Sequence, residues 1–343
     1  MATFRSGLLR RAFRRHCFEL HVASRPRFTN SSASHLTATF KPASVSRGNA
    51  VSFKERIPPR SWDSHMHVVE PHRYMVSRDA AYTPSSHTLE EALAFESTVG
   101  MENIVLVQPS IYGTDNSCLL AALQRVGPAR GRGVVVIDPT SITHSTLASW
   151  HKLGVCGIRV NFQSVGKVLS ESELAETLMQ HANIIRPLGW MIQLYLPLRM
   201  VPMLEAIVPR LGVKVCIDHY GSPDFSGMTI ADELSINPYI LPGFSSLVSL
   251  LQAGQTYVKI SAPYRFGVDN RLRDIEAITT ELLQKAPRRL VYATDWPHTR
   301  FPGVDIGPFT EMCLRLCARE PGLTDQLFRL NAEELMRTKE EFS

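Results

Sequence analysis

The sequence predicts an α/β protein built as a single TIM-type (β/α)8 barrel, and three observations support this fold class. First, eight short apolar runs, most of them rich in Val, Ile and Leu, alternate from residue 61 onward with longer amphipathic segments. Strands that alternate with helices are typical of a parallel sheet with both faces covered. Second, no G-x-G-x-x-G sequence follows the first run, which argues against an open dinucleotide-binding sheet. Third, polar residues stand at the end of almost every run, as at the mouth of a barrel.

The eight predicted strands share an apolar centre, as expected of strands that are buried on both faces. In chain order they are residues 62–68, 103–107, 133–137, 155–162, 190–196, 214–218, 257–261 and 290–293. Helical periodicity falls between them, most clearly at 89–99, 171–185, 271–283 and 309–318. A long loop is predicted at 222–243, after the sixth strand. The barrel is therefore expected to span residues 57–340.

Residues 1–50 differ sharply from this body in composition. They contain eight Arg, one Lys and one Glu, a net charge of +8, so the rest of the chain carries −3 of the total of +5. An arginine-rich, serine-rich and acid-poor start is typical of a mitochondrial transit peptide. We expect a disordered tail that directs the chain to mitochondria; a tail without function on a cytoplasmic protein is the alternative.

The composition of the body excludes several classes of partner. Its basic charge lies in the tail, so nothing points to nucleic acid or to an anionic membrane surface. No stretch of about 18 apolar residues is present that could cross a membrane. The six cysteines form no C-x-x-C pair and are expected to be reduced thiols. A monomer and a small homo-oligomer are both compatible with the sequence.

The strand ends carry the chemistry. In a barrel these ends surround one mouth, where active sites lie. His65 and His67, at i and i+2 of the first strand, are expected to point to the same face. Several polar groups at the same relative position are hard to explain as isolated core residues, because a buried charge without a partner is costly. The strand ends and adjoining loops carry His65 and His67, Ser110, Arg159, Tyr195, His219, Lys259 and Arg265, and Asp295 and His298.

Several motifs make a resemblance specific. WDSHMHV, YTP, VLVQPSIYGTDN, GIRVNF, IDHYG, KISAPYR and ATDWPH occur in this order. Together they resemble the amidohydrolase superfamily, and within it the branch of 2-pyrone-4,6-dicarboxylate lactonase and its relatives. The resemblance covers about residues 58–338. It implies hydrolysis of a small carboxylated lactone, without a required metal.

The residues themselves bear on a metal cofactor. His65, His67 and Asp295 are three possible ligands of a divalent cation. However, Arg159 lies on strand four, where metal-dependent members of the superfamily often add a ligand, and an arginine cannot ligate. We therefore expect no cofactor, with a divalent metal as the alternative.

A metal-free mechanism assigns Asp295 as the general base for water and later as the acid for the departing oxygen. His65, His67 and His219 are expected to donate hydrogen bonds to the carbonyl oxygen, with at least one imidazole protonated. The substrate-binding residues are expected to be two arginines that clamp carboxylates, three hydroxyl donors and one lysine: Arg159 and Arg265, Tyr82, Ser110 and Tyr195, and Lys167.

Some of these assignments have simpler alternatives. Tyr82 is also compatible with packing on the barrel, Ser110 with a local backbone cap and Lys259 with a structural ion pair. His298 fits a surface loop as well as the site. Lys167 is proposed because Val165 stands where, in the pattern of the lactonase branch, a second arginine is expected.

Two rival functions follow from the same residues. One is a metal-dependent hydrolase or decarboxylase of the same superfamily. The other, from a different class, is a barrel that binds an organic acid without turnover. The second rival predicts a site without a general base, and Asp295 argues against it.

Overall fold

The computed structural model describes residues 52–80, 82, 84–163, 169–226 and 236–339. Eight parallel strands form one sheet in chain order, as a nearly closed barrel. All eight predicted strands are confirmed, and the third begins two residues earlier than expected. The strands are β1 Trp62–Met66, β2 Asn103–Val107, β3 Gly131–Val135, β4 Val155–Asn161, β5 Met191–Tyr195, β6 Val215–Ile217, β7 Thr256–Ile260 and β8 Leu290–Tyr292.

The helices lie between the strands. Two of them, α2 and α5, span the predicted residues, and each begins with a capping box, Thr88 with Glu91 and Ser170 with Glu173. The helices are α1 Phe53–Arg56, α2 Leu89–Val99, α3 Ser117–Val126, α4 His144–Lys152, α5 Glu171–Ile185, α6 Leu204–Leu211, α7 Phe244–Gln252, α8 Arg273–Lys285, α9 Gly307–Cys317, α10 Leu323–Asp325 and α11 Asn331–Leu335.

The apolar residues form two cores. The larger one lies between the sheet and the surrounding helices. The smaller one fills the barrel with alternate strand residues such as Val105, Tyr257 and Val291, and it includes Leu335 and Met336 from the C-terminal segment. One end of the barrel is thereby filled with apolar side chains, which leaves the other end for polar groups.

An extra residue in β1 turns the histidines inward. Asp63 pairs with Ile104 and Met66 with Leu106, so three steps along β1 match two along β2. Such a bulge breaks the alternation of side chains. Trp62 lies in the inner core and Met66 in the outer one, and the residues that flank Met66 are free to face the interior.

The structure agrees with the smaller sequence predictions that it covers. Five cysteines are free thiols, and all five are buried. Among the described residues, no helix combines the length and the apolar character needed to cross a membrane. The described part of the predicted loop at 222–243 contains one short 3-10 helix, Pro238–Ile240. The predicted transit peptide and Lys167 lie outside the described residues.

Candidate active site

Three imidazoles converge on one carboxylate oxygen at the C-terminal end of the barrel. The Nε2 atoms of His65, His67 and His219 lie 3.7, 4.0 and 3.7 Å from Oδ1 of Asp295. All four side chains are buried. Asp295 Oδ1 has no hydrogen-bond partner within the described part of the chain. The structure therefore brings together groups from the ends of β1, β6 and β8, as the sequence predicts.

The other oxygen of Asp295 is firmly held. Tyr264 Oη donates to Oδ2 at 2.6 Å, and Arg265 Nε donates to it at 2.7 Å. Burial alone would raise the pKa of Asp295, but attraction to Arg265 and then to the imidazoles outweighs it and lowers the pKa. Asp295 is therefore ionised, and Arg265, expected to clamp the substrate, has an internal carboxylate partner.

The surroundings of the imidazoles favour their neutral forms, whereas the sequence suggested that at least one is protonated. Burial is the main cause, and it lowers the pKa of His67 and of His219 to about 4. Burial also lowers the pKa of His65, with Lys259 as the next cause. The expectation counted only the nearby Asp, whereas desolvation and the surrounding cations favour the neutral rings.

The hydrogen bonds of His67 fix the position of its ring hydrogen. Nδ1 lies 2.7 Å from the Val107 carbonyl oxygen, which can only accept, so Nδ1 carries the hydrogen. Neutral His67 then presents a lone pair at Nε2, which lies 3.3 Å from Nε2 of His65. His67 cannot donate to a substrate carbonyl in this state, contrary to its expected role.

A second buried carboxylate, Asp218, neutralises the cations inside the barrel. Arg159 approaches Oδ2 through two nitrogens at 3.2 Å, and Gln193 donates to the same oxygen at 3.0 Å. Lys259 Nζ and His65 Nδ1 each lie 3.3 Å from Oδ1. The ion-pair alternative for Lys259 is confirmed. Arg159, expected to bind substrate, is already engaged by Asp218.

The remaining predicted residues differ in their placement. The Tyr195 ring meets the His219 ring edge-on at 5.3 Å, and the Arg159 guanidinium lies 5.2 Å from its centre. Tyr195 is therefore part of the site. Ser110 begins a 3-10 helix, Ser110–Tyr112, and is exposed.

His298 belongs to the site region and not to an exposed loop. It is only 8% exposed, and its ring contacts Tyr264 and Phe95 at 5.5 and 5.8 Å between centres. Its Nε2 has no hydrogen-bond partner among the residues described. Burial lowers the pKa of this imidazole to about 4. The surface-loop alternative for His298 is wrong.

The backbone turns sharply where the last three strands reach the site. His219, Ala262 and Asp295 have φ of 51°, 53° and 63°. The left-handed region costs a residue other than glycine roughly 1–2 kcal/mol. Such residues cluster at active sites, where the surrounding structure holds them in place.

Sequence reasoning missed two features behind the site. One is Tyr264, which lies within the KISAPYR motif. The other is the buried pair Asp63 and Glu96. Asp63 accepts the backbone N–H groups of His65 and Thr294, each at 3.0 Å. Burial raises its pKa to about 6 and raises that of Glu96 well above its ordinary value. The buried residues of α2 are Leu89, Ala92, Glu96 and Val99. A glutamate on this otherwise apolar face could have been noticed in the sequence.

His65, His67 and Asp295 fit a divalent cation. Their ligand atoms all lie within 4.8 Å of one another, and neutral imidazoles with a carboxylate are common zinc ligands. The unpartnered Oδ1 of Asp295 and the lone pair of His67 suit such an ion. Arg265, on the other carboxylate oxygen, would repel it.

Comparisons with known proteins agree with this architecture. The family model described as Amidohydrolase matches residues 62–338. The chain is 29% identical over 248 residues to a 4-sulfomuconolactone hydrolase of Hydrogenophaga intermedia, covering 71% of this chain and 77% of that protein. It is 27% identical over 253 residues to a 2-pyrone-4,6-dicarboxylate hydrolase of Comamonas testosteroni, covering 71% and 78%. A structure from Pseudomonas putida, provisionally described as a 2-pyrone-4,6-dicarboxylic acid hydrolase, has a TM-score of 0.67 at 28% identity and covers 81% of this chain and 97% of its own.

Proposed function

The chain belongs to the amidohydrolase family, and we propose that it is a lactonase that opens a small carboxylated lactone with water. The proposed substrate is 2-pyrone-4,6-dicarboxylate or a related lactone, since two relatives are named as hydrolases of such compounds. The observation that carries the proposal is the convergence of three Nε2 atoms on the unpartnered Oδ1 of Asp295.

In the proposed reaction, water lies against Oδ1 of Asp295 and attacks the lactone carbonyl carbon. Its proton passes to Oδ1 as the new C–O bond forms. The tetrahedral intermediate then expels the ring oxygen, which takes this proton. Tyr264 and Arg265 hold Oδ2 and keep Oδ1 directed at the water. An anionic substrate group that shares Arg265 would weaken this hold and increase the proton affinity of Asp295.

His219 is the imidazole best suited to stabilise the oxyanion. Its Nδ1 lies 2.8 Å from the Ser261 hydroxyl oxygen, and when that hydroxyl donates, the ring hydrogen is on Nε2. His65 is engaged differently: Lys259 Nζ lies 3.2 Å from its Nδ1, so its Nε2 hydrogen points to the lone pair of His67. This hydrogen-bonded series orients the neutral imidazoles.

A second candidate is a metal-dependent hydrolase or decarboxylase, favoured by the spacing of the donor atoms. His65, His67 and Asp295 would hold the cation, which supplies Lewis-acid polarisation of a carbonyl group. For His65 to ligate through Nε2, its ring hydrogen must be on Nδ1. Asp218 Oδ1, 3.3 Å from Nδ1, is in place to interact with it.

A lactone panel tests these candidates. The purified full chain is assayed with 2-pyrone-4,6-dicarboxylate, a monocarboxylated lactone and a neutral lactone, with and without chelator, and its metal content is measured. We expect ring opening of the carboxylated lactones, unchanged by chelator, with metal well below one equivalent. Loss of activity with chelator and restoration by one equivalent of metal would instead support the second candidate.

The same panel separates an enzyme from a binding protein. Isothermal titration calorimetry with the open-chain and cyclic acids reports binding whether or not turnover occurs. Binding without hydrolysis of any lactone would reject the lactonase proposal and favour a barrel that binds an organic acid.

A further inference from the structure

Arg300 lies at the mouth of the barrel, in the loop that follows Asp295. Its guanidinium is 5.6 Å from the centre of the Tyr82 ring, which comes from the loop after β1. Arg300 is exposed and Tyr82 is half-buried. The two loops therefore present a guanidinium and a phenol side by side, next to the candidate site.

The charges inside the site leave this guanidinium distinct from the others. Arg159 and Lys259 pair with Asp218, and Arg265 pairs with Asp295. Arg300 has no carboxylate partner among the described residues. The three internal cations therefore face two internal carboxylates. Arg300 adds a cation at the mouth that no described carboxylate neutralises.

The hydroxyl of Tyr82 lies in the field of all three arginines. Arg300, Arg265, Arg159 and Thr299 each act to lower the pKa of this hydroxyl, but burial outweighs them and raises it. Because its pKa is raised, this hydroxyl is a neutral donor beside Arg300. An oxyanion placed there meets a phenol and a guanidinium, the combination that binds carboxylates through charge-assisted hydrogen bonds.

The backbone supports a specific role for this loop. Arg300 has φ of 69°, and His298, two residues earlier, has φ of 57°. An arginine adopts the left-handed region only at a conformational cost, and residues held in this way concentrate at binding and catalytic sites. Glycine would adopt this φ without strain.

We propose that Arg300 is a specificity-determining residue that, together with Tyr82, binds a second acidic group of the substrate. This inference rests on the proposed lactonase function and defines the substrate as a dianionic lactone. Its first acidic group lies toward Arg265, and the second, a carboxylate or a sulfonate, lies at the mouth. Arg300 is a binding residue and takes no part in proton transfer.

The test compares two lactones on one scaffold, 2-pyrone-4,6-dicarboxylate and 2-pyrone-6-carboxylate. For Arg300→Met we expect kcat/KM for the dicarboxylate to fall about 10- to 100-fold, mainly through KM, because one charge-assisted contact is lost. The value for the monocarboxylate should stay within about two-fold. Arg300→Lys should recover part of the loss, since lysine keeps the positive charge but lacks the planar guanidinium that can bind a carboxylate through two hydrogen bonds.

Two further variants serve as controls. Arg288→Met removes an exposed arginine just before β8, at the opposite end of the barrel, and should change neither substrate. Arg300→Gly removes the side chain and relaxes the backbone. It should therefore repeat the kinetic effect of Arg300→Met without lowering the melting temperature, even if the methionine variant is unstable.

The outcomes separate the inference from the function on which it rests. An equal loss on both lactones, or no loss on either, overturns the role of Arg300 while lactone hydrolysis stands. A wild-type chain that prefers the monocarboxylate overturns it as well. A wild-type chain that hydrolyses neither lactone overturns the proposed function and this inference together.

Discussion

The two ends of this barrel treat their charged groups in opposite ways. At the N-terminal end, Lys214 Nζ donates to backbone carbonyls of the C-terminal segment, and Asn331 Nδ2 donates to two carbonyls at 2.8 and 2.7 Å. At the C-terminal end, Asp295 Oδ1 and His298 Nε2 have no partner among the described residues. Other buried atoms of the described chain also lack a hydrogen-bond partner: Trp62 Nε1 and Thr256 Oγ1, which do not titrate, and both carboxylate oxygens of Glu96, whose pKa is raised by burial. One end is organised for stability and the other retains free capacity for a ligand.

Asp295→Asn should give the largest effect. If it left turnover unchanged, the contrast between the two ends of the barrel would not hold. The amide keeps the shape but cannot take a proton, so turnover of a lactone should fall roughly 10²- to 10⁴-fold. Steady-state kinetics measures the effect. Asp325→Asn, which replaces the partner of Arg329, is the control and should keep full turnover. Wild-type turnover by Asp295→Asn would remove its role as a base.

Asn331→Leu should affect the opposite end alone. It leaves the Pro287 and Leu290 carbonyls without their donor and should lower the free energy of unfolding by about 2–4 kcal/mol. Urea denaturation measures this value. Turnover per folded molecule should stay within two-fold of wild type. A variant with normal stability but impaired turnover would show that the two ends are not independent.

Glu96→Gln should change how stability depends on pH. Because the pKa values of Asp63 and Glu96 are raised in the folded chain, their stabilisation is complete at about pH 4 and is lost as pH rises through the folded pKa, about 6 for Asp63. Glutamine keeps the neutral shape. Relative to wild type, the variant should therefore lose less stability as pH rises from 5 to 8 in urea denaturation. Parallel curves for the two proteins would contradict this account, and Glu102→Gln, at an exposed position just before β2, should give such a parallel curve.

Tyr264→Phe should give the smallest effect. It removes one of the two donors to Oδ2 of Asp295 and leaves Arg265 in place, so kcat should fall about ten-fold with little change in KM. Tyr239→Phe is a matched control, because it removes a 2.8 Å bond to the Glu281 carboxylate on the exposed surface. A change confined to KM would indicate that Tyr264 contacts substrate instead.

The sequence predicted the barrel well because its signals are local. Apolar runs mark the strands, and the capping boxes at Thr88 and Ser170 mark two helix starts. The meeting of His65, His67, His219 and Asp295 followed from one topological rule, that strand ends share a mouth.

The ion pairs between residues of different strands could not be predicted from the sequence. That Arg159 pairs with Asp218, and Arg265 with Asp295, depends on side-chain directions that strand order does not specify. The protonation of the imidazoles depends on burial and on cations from other strands, neither of which the sequence pattern specifies. Glu96 could have been found, because a carboxylate on the apolar face of α2 is a visible exception.

The junction of the first and last strands has a consequence for the candidate site. The end of β1 meets the segment after β8 through a bridge from Met66 to Trp296, a 2.9 Å bond from His67 N to Trp296 O and a 3.1 Å bond from Asp295 N to His65 O, and Thr294 N donates to Asp63 behind the site. The junction of the first and last strands and the reactive groups thus involve the same few residues. The contacts that close the barrel also hold the backbone of His65, His67 and Asp295, so a change that opens this junction displaces the candidate site as well.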